Sequence, residues 1–323
     1  MCIIKNYICS TVKTRSLIVS CLIFIVSLAV LLVASDWFVD AAEKIGLSWG
    51  ISPFIIGVTI VAFGTSLPEL ATSIVSVRSG MSEVVIANVV GSNITNILLV
   101  LGFTAVAAKE IRMDFNVMDI DMPLLFGSAF MLYFAVSDLH FSNFEALLFL
   151  GGIIAFVINS VSGERDDELD RPKSKPMDYL KLILGAVLVY FGAEYTIFGV
   201  EGISTEIGIN PDIIAVTVIA LGTSLPELVV SVNAARKGKT GLAVGNVLGS
   251  NMFNTFGVMA IPGLMTDLVI PEAFLSFSIP FMIAVTILFG MISLSKRISF
   301  WEGTMLIAFY VFFIGTLLQN SIN

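Results

Sequence analysis

Charge is scarce in this chain of 323 residues: Asp, Glu, Lys and Arg make up 13% of it and hydrophobic residues 57%. Soluble globular domains carry about a quarter charged residues. That deficit, with a mean hydropathy of +0.97, excludes an ordinary soluble domain and implies a polytopic membrane protein. Histidine is limited to His140, in a predicted loop, and cysteine to Cys2, Cys9 and Cys21, in or beside the N-terminal tail. No cluster of His, Cys or Met is present, which disfavours transition metals. The three cysteines are odd in number, lack metal-site spacing and gain no role from the sequence. Acids outnumber bases, 25 to 17, for a net charge of −8, so no nucleic-acid partner is expected. Polar loops are almost missing as well. The one sizeable polar stretch, Gly163 to Asp178, mixes acids with Arg165, Arg171, Lys173 and Lys175. It lacks the alternating ligands and central Gly of an EF-hand loop and reads as a solvated connector.

What is present is apolar runs. At about 20 residues per crossing, they predict ten spans near 17–40, 51–77, 84–107, 118–137, 142–162, 179–201, 210–235, 241–265, 273–292 and 300–319. The expected organisation is an N-terminal tail (1–16), a first five-helix repeat (17–162), an acidic linker (163–178), a second five-helix repeat (179–319) and a C-terminal tail (320–323). Of the 17 basic residues, all but Lys5, Lys13, Arg15 and Arg78 fall on one side of this arrangement. Basic residues are retained in the cytoplasm, so the linker is expected there and both termini outside. Lys5, Lys13 and Arg15 resemble the n-region of a signal sequence, but the apolar stretch from Leu17 to Ala34 is too long for an ordinary h-region and is taken as the first span.

The halves are copies. Gly64-Thr65-Ser66-Leu67-Pro68-Glu69 recurs letter for letter as Gly222-Thr223-Ser224-Leu225-Pro226-Glu227, and at that offset of 158 residues 51–80 match 209–238 at 17 of 30 positions. Asn88-Val89-Val90-Gly91-Ser92-Asn93 pairs with Asn246-Val247-Leu248-Gly249-Ser250-Asn251, and Asn96 with Asn254. Apolar composition alone makes Leu, Val and Ile coincide, not Asn, Ser, Pro and Glu in register. Five spans per repeat is an odd number, so the second copy crosses in the opposite sense. The fold class expected is therefore an all-α membrane protein of about ten transmembrane helices in two inverted-topology repeats, a design that holds substrate near the midplane on interrupted helices.

Pro68 and Pro226 supply the interruption, each lacking an N–H and crowding the carbonyl four residues back. Ala62, Thr65, Ser66 and Glu69 share one helical face, as do Ala220, Thr223, Ser224 and Glu227. Asn88, Ser92 and Asn96 are spaced by four, and so are Asn246, Ser250 and Asn254. Intramembrane acids are functional by default, and two sharing a low-dielectric chamber repel until a counter-ion joins them. A divalent cation neutralises both. Calcium, with six to eight flexible oxygen ligands, suits Glu, Thr, carbonyls and water better than magnesium does, and neutral Ser, Asn and Thr oxygens suit Na+. Ser66 or Ser224 as a nucleophile lacks an adjacent base. A channel could use the same polar stripes, although broken inverted repeats favour alternating access. Asn88 and Asn246 read as helix-packing residues, Gly91 and Gly249 as points of close helix approach, and Asp36 and Glu194 as interfacial acids.

The paired G-T-S-L-P-E segments, each followed 22 residues later by G-S-N, resemble the α-repeats of Na+/Ca2+ exchangers in the Ca2+/cation antiporter superfamily, over about residues 20–319. The resemblance implies Ca2+ at Glu69, Glu227, Thr65 and Thr223. It implies Na+ at Ser66, Ser224, Ser92, Ser250 and the carbonyls of Ala62 and Ala220, with Asn96 and Asn254 completing the centre. The K+-dependent branch has an acid where Asn254 stands, so K+ co-transport is not expected. The Ca2+/H+ branch has an Asn-containing motif before its acid, which leaves proton coupling as the alternative. The linker has no room for a calcium-sensing domain. The expectation is thus a monomeric antiporter of a prokaryotic cell membrane, with Ca2+, Na+ and lipid as partners and no cofactor. Both ions would compete for the shared acids while the first span of each half slides over a fixed core.

Overall fold

In hydrocarbon a chain must satisfy its own backbone polar groups, and helices do so within one segment. The structure, a computed structural model, describes residues 17–113, 121–162, 173–206 and 223–322. The first half comprises α1 (Leu17–Ser48), α2 (Pro53–Arg78), α3 (Glu83–Ala108), α4 (Asp121–Ala135) and α5 (Asn143–Ser162). The second comprises α6 (Pro176–Glu206), α7 (described from Leu225 to Arg236), α8 (240–263), α9 (Phe274–Ser293) and α10 (Phe300–Ile322). Among the described residues, α1, α2, α3, α5, α6, α9 and α10 are long and apolar enough to cross a membrane. Large apolar side chains such as Phe134, Ile183 and Val311 cover the outside and are more than 60% exposed, as suits a surface bathed in acyl chains.

α1 runs on to Ser48 rather than stopping near residue 40. The reading from hydropathy ends at its acids, but those acids are paired. Lys237 reaches Asp36 at 2.9 Å and Asp40 at 3.1 Å, and Lys239 reaches Asp40 at 2.6 Å and Glu43 at 2.9 Å. Asp36 also accepts from the Asn233 amide at 2.7 Å, and Lys44 meets Asp178 of α6 at 3.3 Å.

The inverted repeat is visible in the strands as well as the helices. β1 (Glu110–Arg112) pairs antiparallel with β4 (Arg297–Ser299), and β2 (His140–Phe141) with β3 (Leu268–Val269). The 158-residue offset turns Ile111 into Val269 and Ile298 into His140. Ile111 faces Ile298 and His140 faces Val269, so the register obeys the repeat. Each ribbon joins one half to the other. In the first repeat, α4 lies between β1 and β2 in the chain.

Two apolar clusters follow. The larger joins α3, α8, α4, α5, α9 and α10; the smaller seats α1 and α6 against α2, α7 and the start of α8. α1 and α6 run antiparallel with glycines at the seam. A Cβ on Gly185 would sit 3.0 Å from Phe38, on Gly192 3.0 Å from Leu31 and on Gly199 2.8 Å from Phe24.

Backbone lies close against backbone between α2 and α8. A Cβ on Gly249 would run into the Val58 carbonyl oxygen and Ala62 Cβ, and one on Gly245 into the Phe54 carbonyl. Gly249 thus serves close approach as expected, whereas a Cβ on Gly91 meets nothing within 4 Å among the described residues. Gly249→Ala is expected to lower the melting temperature in detergent, since overpacking against backbone costs about 1–3 kcal/mol. Gly151→Ala, where a Cβ meets nothing within 4 Å, is expected to leave it unchanged or slightly raised. Equal melting of wild type and Gly249→Ala would show that α2 and α8 can part without loss.

Candidate cation-binding site

Pro68 gives no hydrogen to the Gly64 carbonyl, so the first segment of α2 ends at Thr65. Ser66 turns the chain at φ −89°, ψ 6°, and a new segment starts at Leu67. Ser224 repeats the turn at φ −88°, ψ 4° ahead of Leu225. Glu69 and Glu227 therefore each stand in the first turn of a half-helix, where the macrodipole favours a carboxylate. Across from them, α3 and α8 present Asn88, Ser92 and Asn96, and Asn246, Ser250 and Asn254, at four-residue spacing. Both helices widen at the same place: π-helical turns occupy Asn96–Val100 and Asn254–Val258. Such turns recur at functional sites.

Glu69 and Glu227 are fully buried and near enough to feel each other's charge. Glu69 faces Thr223 and Ser92; Glu227 faces Ser66, Thr65 and Ser250. The bonds cross between repeats. Ser66 Oγ donates to Glu227 Oε1 at 3.0 Å. Thr65 Oγ1 donates to Asn246 Oδ1 at 3.1 Å and lies 3.5 Å from Ser250 Oγ. Thr223 Oγ1 lies 3.1 Å from Ser92 Oγ and donates to Asn88 Oδ1 at 3.4 Å. Asn96 Nδ2 donates to Asn251 Oδ1 at 3.0 Å. One chain supplies every one of these groups, half from each repeat.

Most notable is what stays unpaired. Among the described residues, both carboxylate oxygens of Glu69, Oε2 of Glu227, Oγ of Ser224, Oδ1 of Asn96 and both amide atoms of Asn254 are buried without a hydrogen-bond partner. Buried polar atoms are ordinarily satisfied, so this concentration of orphaned oxygens around two acids is a feature to be explained by the donor set itself. It fits a hard cation bound by oxygen. No group of three or more His, Cys, Asp or Glu that could hold a metal occurs among the described residues, and the donors are not those of a transition-metal site.

The residues picked from the sequence converge with few complications. The Ala62 carbonyl accepts the Ser66 N–H at 3.0 Å and lies 3.3 Å from the Thr65 hydroxyl, whose single hydrogen has Asn246 Oδ1 as its nearer acceptor. Ala220 lies outside the described residues. Sequence reasoning set aside Asn88 and Asn246, and it did not single out Ser73 and Ser231. Asn88 Nδ2 donates to the Glu69 carbonyl and to Ser73 Oγ, both at 2.9 Å, and Asn246 Nδ2 to Ser231 Oγ at 2.9 Å. The signal was their position one turn before Ser92 and Ser250, in both copies.

The comparisons with known proteins agree with this geometry. The family model described as sodium/calcium exchanger protein matches residues 19–161 and 178–319, once per half. The sodium/calcium exchanger MaX1 of Methanosarcina acetivorans is 35% identical, over 93% of this chain and 98% of its own. The inner membrane protein YrbG of Escherichia coli is 31% identical, over 84% of this chain and 87% of its own. Among solved structures, the sodium-calcium exchanger NCX_Mj soaked with Na+ and Ca2+ aligns with a TM-score of 0.81 at 30% identity, covering 93% of this chain and 99% of that one. An inverted repeat built around two buried glutamates thus carries a family match in each half, and the chain belongs to the sodium/calcium exchanger family.

Proposed function

We propose that this protein exchanges Ca2+ for Na+ across a cell membrane by alternating access, with both ions competing for Glu69 and Glu227 near the bilayer midplane. The observation that carries the reading is the pair of fully buried acids amid orphaned oxygens contributed by both repeats. Ca2+ would take Glu69, Glu227, Thr65 and Thr223. Na+ would take Ser66, Ser224, Ser92, Ser250 and the carbonyls of Ala62 and Ala220, with Asn96 and Asn254 at the centre. Two carboxylates carry two negative charges, which one Ca2+ balances, so the loaded site can be buried at a smaller penalty than the bare one. Exchange rather than leak follows if the bare site moves poorly. The pair α1 and α6, seated in its own apolar cluster, is the proposed moving element. Since one chain provides all the described site groups, a monomer suffices.

The distribution of Lys and Arg supports a cytoplasmic linker and outward termini. With Cys2, Cys9 and Cys21 replaced by Ser, Ser137→Cys is expected to react with a membrane-impermeant maleimide in intact cells, and Lys173→Cys only after permeabilisation. The opposite pattern would invert the orientation.

Transport is tested in proteoliposomes loaded with Na+ and diluted into Na+-free buffer. Calcium uptake is expected to need the outward Na+ gradient, to ignore K+, and to vanish in Glu69→Gln and Glu227→Gln. Uptake driven by a pH gradient instead would make the protein a Ca2+/H+ antiporter, and uptake indifferent to any gradient would make it a channel.

A further inference from the structure

A hydroxyl beside a carboxylate ordinarily turns its hydrogen toward that carboxylate, and a cation entering the site would then meet hydrogen rather than lone pair. Thr65 and Thr223 are held otherwise. The Glu69 carbonyl can only accept, so the 2.9 Å contact from Asn88 fixes which end of that amide is nitrogen. Its second N–H goes to Ser73 Oγ at 2.9 Å. Asn88 Oδ1 is thereby turned toward Thr223, and having no hydrogen of its own it must receive that of Thr223, at 3.4 Å. Thr223 has a single hydrogen, so Ser92, 3.1 Å away, donates to it. With the Thr223 hydrogen on Asn88, the order runs from Ser92 to Thr223 to Asn88 to the Glu69 carbonyl.

The second copy repeats the serine and threonine contacts, without a counterpart among the described residues to the Asn88 contact with the Glu69 carbonyl. Asn246 Nδ2 donates to Ser231 Oγ at 2.9 Å, and Asn246 Oδ1 accepts from Thr65 at 3.1 Å, with Ser250 3.5 Å from the same hydroxyl. Both asparagines are buried, and each reaches across to the threonine of the opposite repeat. With its hydrogen committed to Asn246, Thr65 also ceases to occupy the Ala62 carbonyl.

We infer that Asn88 and Asn246 are positioning residues for the proposed Ca2+ site: each takes the hydroxyl hydrogen of the opposite repeat's threonine, so that Thr223 and Thr65 present oxygen lone pairs to the cation. This rests on the proposed function above for the identity of the ion. Outer partners that orient ligands typically change metal affinity about 10–100-fold when removed.

The test is a pair of double-mutant cycles, Asn88→Ala with Thr223→Val and Asn246→Ala with Thr65→Val. Each is read as the apparent KM for Ca2+ and for Na+ in proteoliposomes and as the Ca2+-induced rise in melting temperature of purified protein. Asn88→Ala is expected to raise the KM for Ca2+ about tenfold or more, to move that for Na+ less, and to have no further effect once Thr223 is replaced by Val. The other cycle should behave alike. Equal losses with and without the threonine hydroxyl, or KM values for both ions moving together, would overturn the proposal. So would asparagine variants that fail to fold in both cycles while the threonine variants fold, because packing would then be their role. Wild-type protein that Ca2+ stabilises but that shows no Na+-driven uptake would instead sink the transport reading and leave the positioning argument to be decided by the melting shifts.

Discussion

Two carboxylates held together out of water are the constraint around which the rest is arranged. Desolvation and mutual repulsion both act against them, and the fold offers only partial relief. Each acid stands in the first turn of a half-helix, and Ser66 donates to Glu227. Neither device neutralises a charge. A cation drawn from solution would, and the oxygens left without partners lie on the side chains that would receive it. Stability of the closed site and recognition of the ion are on this view one interaction, since a site satisfied by the protein alone would gain little from binding.

Placing the acids on separate, inverted repeats makes the site a property of assembly. Thr65 and Ser66 bond to the second half, and Ser92 and Asn88 to the second half's Thr223, so neither half alone completes a site. The two strand ribbons do the same, each taking one strand from each repeat. Symmetry is broken at several bonds, one of them at the acids: Ser66 holds Glu227, while the equivalent Ser224 hydroxyl and Glu69 carboxylate have no partner among the described residues. If the halves exchange conformations, as alternating access in an inverted repeat requires, that bond would pass from one pair to the other.

Much of this was legible in the sequence, because polar residues recurring in register inside apolar segments have no compositional cause. The hexapeptide gave the broken helices, and the four-residue spacing of Asn88, Ser92 and Asn96 gave the facing stripe. Other features were not legible for identifiable reasons. Strands β1 and β4 are far apart in the chain, and three residues of alternating burial carry no detectable period. The π-helical turns at Asn96 and Asn254 have no residue signature. The length of α1 was hidden because Asp36 reads as an interfacial acid near a span end, and the pairing of Asp36, Asp40 and Glu43 with Lys237 and Lys239 appears only in the fold. The amide direction of Asn88 depends on a backbone carbonyl of another helix, which no spacing rule specifies.

The packing also divides firm contacts from yielding ones. Where α8 meets α2, backbone lies against backbone at Gly245 and Gly249, and displacement there would drive carbonyl oxygens into Cα atoms. That contact fixes the register of Thr65 against Asn246 and Ser250, so ligand geometry depends on the least deformable part of the fold. Where α6 meets α1, glycines at seven-residue intervals bring the two helices together as one closely packed pair. The ion pairs that tie α1 to Lys237 and Lys239 are partly exposed and gather at its C-terminal end, and contacts of that kind are individually worth about 0–1 kcal/mol. They can be broken and remade without large penalty. Those contacts, unlike the backbone packing of α8 on α2, are the ones that the proposed shift of the α1 and α6 pair would have to remake.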